Sequence, residues 1–221
     1  MIETKNKDKV IIQLVKEPDV IKTKNLIENS IVNNFDIQVE NLRNPLVKVV
    51  MIDLSINSKE QLEEEIKKRN ILDESQKIKV NYIYQIKTKK TQTAIVELNR
   101  EAYASIMKER KIYIGCQRCN VYDEFNVKRC FKCNSYGHSK AKCTNNPKYE
   151  KCADEHTSEE CKNESNILCI NCSELNVKIK EVEKKVQTNH KASDYKSCSA
   201  YKWLVKKRIS NTDYPFPPLI S

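Results

Sequence analysis

The chain is predicted to be an α+β protein, on three observations. Between residues 44 and 124, four short runs rich in branched and aromatic residues read as strands, and two runs with apolar residues four apart read as helices. Each helical run follows a residue suited to cap it, Ser58 or Asn99. Past residue 124 this patterning gives way to cysteines: all ten cysteines and all three histidines lie from Cys116 to Cys198. A small apolar core followed by metal-stapled units is the expected result.

The elements follow in order. Val47-Lys48-Val49-Val50-Met51-Ile52-Asp53-Leu54 is β-branched and apolar, as in a buried strand. Ser58 caps the run Lys59–Arg69, Gln61 completes a capping box, and Leu62 and Ile66 share one face. Ile78–Ile86 alternates with period two, Lys87–Lys90 turns the chain, and Thr93–Leu98 is the next strand. Asn99 opens a helix through Ala102, Ile106 and Met107, and Lys111–Gly115 starts a last strand that could run on to Tyr122. The order β-α-β-β-α-β is the split βαβ pattern of a ferredoxin-like or RRM-like module over residues 44–124. The third strand has no aromatic residue, and Tyr82, Tyr84 and Tyr113 are expected as packing or edge residues rather than as an RNA platform.

Residues 1–43 form a charged N-terminal segment, with a short strand near Val10–Val15 and a helix around 20–30 expected. Residues 125–200 form the cysteine-rich region. Residues 201–221 begin as a basic amphipathic stretch, Tyr201–Arg208, and end at Pro215-Phe216-Pro217-Pro218, expected to fray.

Formal net charge is +10 over 221 residues, which points to a polyanionic partner, nucleic acid first. The N-terminus has no signal-peptide core, and no apolar run is long enough to span a membrane. An intracellular, non-secreted protein with reduced, metal-bound thiols is the expectation. Two glycines cannot build a phosphate-cradling loop, and histidines bound to metal are not free for acid–base work. No enzymatic activity is expected.

The strongest signal is Cys130-x2-Cys133-x4-His138-x4-Cys143, the spacing of a CCHC zinc knuckle. Gly137 precedes the histidine, where a tight turn favours a residue that tolerates positive φ. Lys128, Arg129, Lys132, Lys140 and Lys142 surround it. Phe131 and Tyr136 offer an apolar platform for an unpaired base, or a cover for the metal, or both. A second cluster, Cys152, His156 and Cys161, has Tyr149 where a fourth cysteine is expected. It reads as a weak or decayed site, as an open catalytic position, or as one completed by a remote donor such as Cys119. A third cluster pairs Cys169 and Cys172 with His190 and Cys198 across a long gap. Leu175, Ile179, Val182 and Val186 in that gap predict an amphipathic helical insert at 174–188. Two zinc ions are therefore expected, with a third site incomplete. Cys116 and Cys119 also have Cys-x2-Cys spacing, but as residues of the last strand they read as ordinary strand cysteines.

With these clusters in hand, the chain resembles the Gag-like protein from the first open reading frame of arthropod non-LTR retrotransposons, the jockey-like elements among them. The resemblance rests on Ile114–Asp123, Val127–Cys133, Tyr136-Gly137-His138, Cys152–His156, Cys169–Cys172 and Asn189–Ser193. It is specific over residues 110–200 and weak before residue 40. It departs from the family at Cys116 and Tyr149, and in the long third gap. The resemblance implies binding of element RNA in a ribonucleoprotein beside a separately encoded reverse transcriptase. The expected function is zinc-dependent binding of single-stranded RNA or DNA. The alternative is a self-associating assembly protein, a homo-oligomer in which RNA is passive cargo. No membrane partner is expected.

Overall fold

The computed structural model describes residues 42–156, 159–161 and 166–220, together with Ile2, Glu3, Val10, Ile11, Lys22, Asn25 and Leu26. The chain divides into two units, residues 1–42 and 43–221. In the first, strand β1 (Ile2–Glu3) pairs antiparallel with β2 (Val10–Ile11). Lys22, Asn25 and Leu26 are helical, and the rest of the helix expected at 20–30 lies outside the described residues.

The second unit is built on a five-stranded antiparallel sheet. Its strands are β3 (Leu46–Ile52), β4 (Ile78–Gln85), β5 (Gln92–Leu98), β6 (Lys111–Ile114) and β7 (Gln117–Asp123), in the order β4-β5-β3-β7-β6. Helices α1 (Lys59–Arg69) and α2 (Arg100–Glu109) join β3 to β4 and β5 to β6. The cysteine-rich region adds helices α3 (Ile170–Lys178) and α4 (Ser199–Ser210). The α1 cap forms as the sequence predicts. Ser58 Oγ accepts from the Gln61 N–H, and the Gln61 side chain accepts from the Asn57 N–H. Asn99 accepts from the Ala102 N–H to start α2, and Arg110 ends it in the left-handed region at φ 53°.

The core lies between the helices α1 and α2 and one face of the sheet. Leu62 and Ile66 of α1 and Tyr103, Ile106 and Met107 of α2 pack on Val47, Val49, Val96, Leu98 and Val121, all buried. On the other face, cross-strand partners form the row Tyr82–Ile95–Lys48–Tyr122. Ile95 is buried there, while Tyr82, Tyr84 and Tyr122 are substantially exposed.

Two expectations need correction. The run from Lys111 to Tyr122 is not one strand. It folds at Gly115-Cys116 into a hairpin of β6 and β7, with Ile114 opposite Gln117 and Gly115 at φ 57°. The proline-containing tail does not fray. After α4 the chain returns to the sheet. Thr212 bridges Arg43 in parallel, with Arg43 N donating to Asn211 O at 3.1 Å and Asp213 N to Arg43 O at 2.9 Å. Asp213 pairs with Arg100. Tyr214 and Phe216 pack their rings on Tyr103, at centroid distances of 5.1 and 5.4 Å. The Leu219 N–H donates to Asp123 at 3.0 Å. Ring contacts with the buried Tyr103 and the hydrogen bonds to Arg43 and Asp123 hold the tail despite its lack of regular structure, so it is a strap.

Candidate metal centres

The first cluster is formed by a tight hairpin. Arg129 bridges Tyr136, Cys130 N donates to Ser135 O, and Gly137 N donates to Lys128 O. The reversal requires positive φ at Asn134 (60°) and Gly137 (106°). A side chain at Gly137 would meet no neighbouring atom, so the demand there is conformational rather than steric. Cys130, Cys133, His138 and Cys143 bring four donor atoms within 4.8 Å of one another, with Cys133 Sγ 3.3 Å from His138 Nε2. Burial pushes the Cys130 thiol up. The backbone N–H groups of Cys133 and Lys132, with the neighbouring thiols, outweigh that and bring it to about 7. Burial also pushes Cys133 up, and the Ser135 backbone N–H with neighbouring side chains outweighs it and brings that thiol down. Two thiols of the set are thus primed to give up a proton to a metal.

The third cluster is held by two helix starts. Cys169 is the N-cap of α3 and Cys172 lies in its first turn, while Cys198 is the N-cap of α4 and accepts from the Tyr201 N–H. Helix N-termini favour the negative thiolate form, but here only Cys198 is lowered: the bond to Cys198 and burial push the Cys169 thiol up, and burial pushes Cys172 up. Sulfur–sulfur distances are 3.8 Å for Cys169–Cys198 and 3.6 Å for Cys172–Cys198, and His190 Nε2 lies 3.6 Å from Cys172 Sγ. The Cys169 thiol pulls Cys198 down against burial, with help from His190 and the Tyr201 N–H, to about 4.

The helical insert at 174–188 is corrected. The helix there, α3, starts earlier, at Ile170, and stops at Lys178. Asn176 then bonds both ways to the backbone of Val186, which turns the chain back toward His190. Val177 and Val182 consequently face solvent, while Leu175 and Val186 pack beside the cluster.

The second cluster offers three donors, Cys152, His156 and Cys161, with Cys152 Sγ 3.2 Å from His156 Nε2. Tyr149 stands in the fourth place and sets its ring beside that of His156, 5.5 Å away. The remote donor Cys119 does not complete the set. It is buried in the sheet core, donates to Met51 O, and burial pushes its thiol up to about 11. Cys116 is exposed in the β6–β7 turn, and neither cysteine joins a donor group among the described residues.

The first and third clusters are interlocked. The buried Asn171, between Cys169 and Cys172, donates to Asn134 O at 2.9 Å and accepts from Tyr136 N at 2.8 Å. Tyr136 turns inward as well: its hydroxyl donates to Ala192 O, and its ring packs on Tyr201 of α4. Of the two expected platform residues, only Phe131 projects outward, 77% exposed. Arg129 lies over the Phe131 ring at 5.2 Å and is tied to Glu150 and Asn134, so it braces the platform and is not free for a phosphate. Lys128, Lys140 and Lys142 are exposed around it and Lys132 is half-buried. The bracing by Asn171 escapes sequence reasoning; its only signal is a polar residue between two cysteines.

No helix among the described residues is long and apolar enough to cross a membrane. No family model, curated protein or solved structure matches the chain.

Proposed function

We propose that the chain is a zinc-dependent single-stranded nucleic-acid-binding protein, non-catalytic and similar in role to the Gag-like component of a retrotransposon ribonucleoprotein. The observation that carries the reading is the pairing of two four-donor clusters with an outward Phe131 among exposed lysines. Tetrahedral zinc with its usual bond lengths separates sulfurs by about 3.8 Å and sulfur from nitrogen by about 3.6 Å. Three donor pairs of the third cluster lie close to these spacings, two sulfur pairs at 3.6 and 3.8 Å and one sulfur–nitrogen pair at 3.6 Å, and all four donors lie within 4.8 Å of one another. Three thiolates and an imidazole suit zinc better than a hard cation. Zinc there would act structurally, since four protein donors leave no position for substrate. The sheet unit is read as RRM-like because β4-β5-β3-β7, with helices on one face, is the order a split βαβ module takes when its last strand is extended into a hairpin.

Two zinc ions are expected to bind tightly, at 130–143 and 169–198, with a third held loosely at 152–161. Native mass spectrometry over a chelator series reads this directly. Three ions of equal retention would mean that Tyr149 is bypassed by another donor; a single ion would remove the third cluster.

Phe131→Ala is expected to weaken binding to an unstructured RNA by about 1–3 kcal/mol, the worth of one stacked base, and to leave zinc content unchanged. Duplex should bind more weakly than single strand, since paired bases offer no free face. Anisotropy titrations decide it. Equal affinity for duplex and single strand, with no weakening on Phe131→Ala, would leave only a nonspecific basic surface.

A further inference from the structure

The chain's single tryptophan stands out of the fold. Trp203 lies on α4 and is 51% exposed. The helix does not need it for packing: Ala200 and Val205 are buried, and Tyr201 and Leu204 are partly covered. The solvent side of α4 before Ser210 is Lys202, Trp203, Lys206 and Lys207. Lys206 and Lys207 follow Trp203 by three and four residues, so all three share a face. The Lys207 ammonium lies 5.4 Å from the Trp203 ring centroid. The helix has no acidic residue.

We infer that this stripe is a second contact for single-stranded nucleic acid, separate from Phe131, with Trp203 stacking a base and Lys202, Lys206 and Lys207 meeting the flanking phosphates. The inference rests on the single-strand reading above and extends it to a new element. Charge selects a polyanion, and an exposed indole face selects one with unpaired bases. An anionic membrane fits less well. A helix lying in a bilayer interface needs a broad apolar face, and the apolar side of α4 is already turned into the protein. The helix is also fixed at both ends, by the Cys198 cap and by the Arg43–Thr212 bridge. The backbone under this face is therefore ordered before binding, which leaves only side-chain ordering to be met.

The test uses the zinc-loaded full chain with fluorescein-labelled oligouridylate and, in parallel, phosphatidylserine vesicles. As the only tryptophan, Trp203 reports its own surroundings, and its emission should be quenched over the range in which anisotropy rises. Trp203→Ala should lower affinity roughly ten-fold, within the range for one stacked base, and Trp203→Phe should recover most of it. Changing Lys206 and Lys207 to Gln should flatten the log–log salt dependence by about 0.7 for each phosphate no longer neutralised. Oligouridylate binding that is sensitive to Phe131→Ala but leaves Trp203 emission and the Trp203→Ala affinity unchanged overturns this inference alone. Emission changes with vesicles and none with oligouridylate assign the stripe to a membrane and overturn it too. No oligouridylate binding at all removes the single-strand reading and the inference with it.

Discussion

Stripping the metal with a chelator at neutral pH should melt the region from residue 125 to 210 and leave the sheet unit folded. Beyond their own thiols, the cysteine-rich clusters fully bury little apolar material, only Ile170, Ala192 and Ala200, and Tyr136, Leu175, Val186 and Tyr201 around them are partly covered. Structural zinc in small peptides supplies about 10–16 kcal/mol of apparent binding free energy, which becomes folding free energy. The sheet unit has its own core from Val47 to Val121. Hydrogen exchange should show loss of protection in α3 and α4 with β3, β5 and β7 unchanged. His190→Ala should reproduce the loss at α4 first, because Cys198 both donates to the site and caps that helix. Simultaneous loss of protection in the sheet would show that the sheet unit is not independent.

Asp123→Ala should destabilise the sheet unit by about 3 kcal/mol, the upper end for a hydrogen bond to a charged group. Its side chain is 1% exposed and gathers three partners: the Tyr103 hydroxyl, the Leu219 N–H at 3.0 Å and the Arg110 guanidinium at 3.8 Å. Arg110 is partly exposed and can turn to water, so the orphaned Tyr103 hydroxyl is the main cost. Burial and the bond to Asp123 both push the Tyr103 phenol well above its ordinary range, so it remains a donor throughout the accessible pH range. Exchange should rise at residues 214–219 before the sheet unfolds. Thermal melts of Asp123→Ala and Tyr103→Phe measure the effect, and an unchanged melting temperature for both would show that the strap is held by its aromatic packing alone.

The parts of the fold legible in the sequence are those set by neighbours along the chain. Ser58 with Gln61 and Asn99 with Ala102 are local bonds, and both caps form where the residues place them. The spacings of the first and second cysteine clusters are likewise local, the third set is joined across a long gap, and each expected donor set comes together. The β6–β7 hairpin has a weaker signal, one glycine in an otherwise strand-like run. The strap is not legible because its partners, Tyr103, Asp123 and Arg100, are distant in sequence. The inward turn of Tyr136 is hidden for the same reason: its partners Ala192 and Tyr201 belong to another cluster. The helical insert ends sooner than its periodicity suggests, because the apolar spacing continues past Lys178, where the Asn176–Val186 bonds take over.

The bridge between Arg43 and Thr212 also sets how this unit bears load. The two segments run parallel, side by side, and their backbone bonds cross between them. Tension applied upstream of Arg43 and downstream of Asp213 would act along both segments at once and strain those bonds in shear. The hairpins that hold the metal lie inside the loop closed by this bridge, so they would carry none of the force until it parted. A chain pulled from both sides of this bridge would keep its metal sites mechanically shielded.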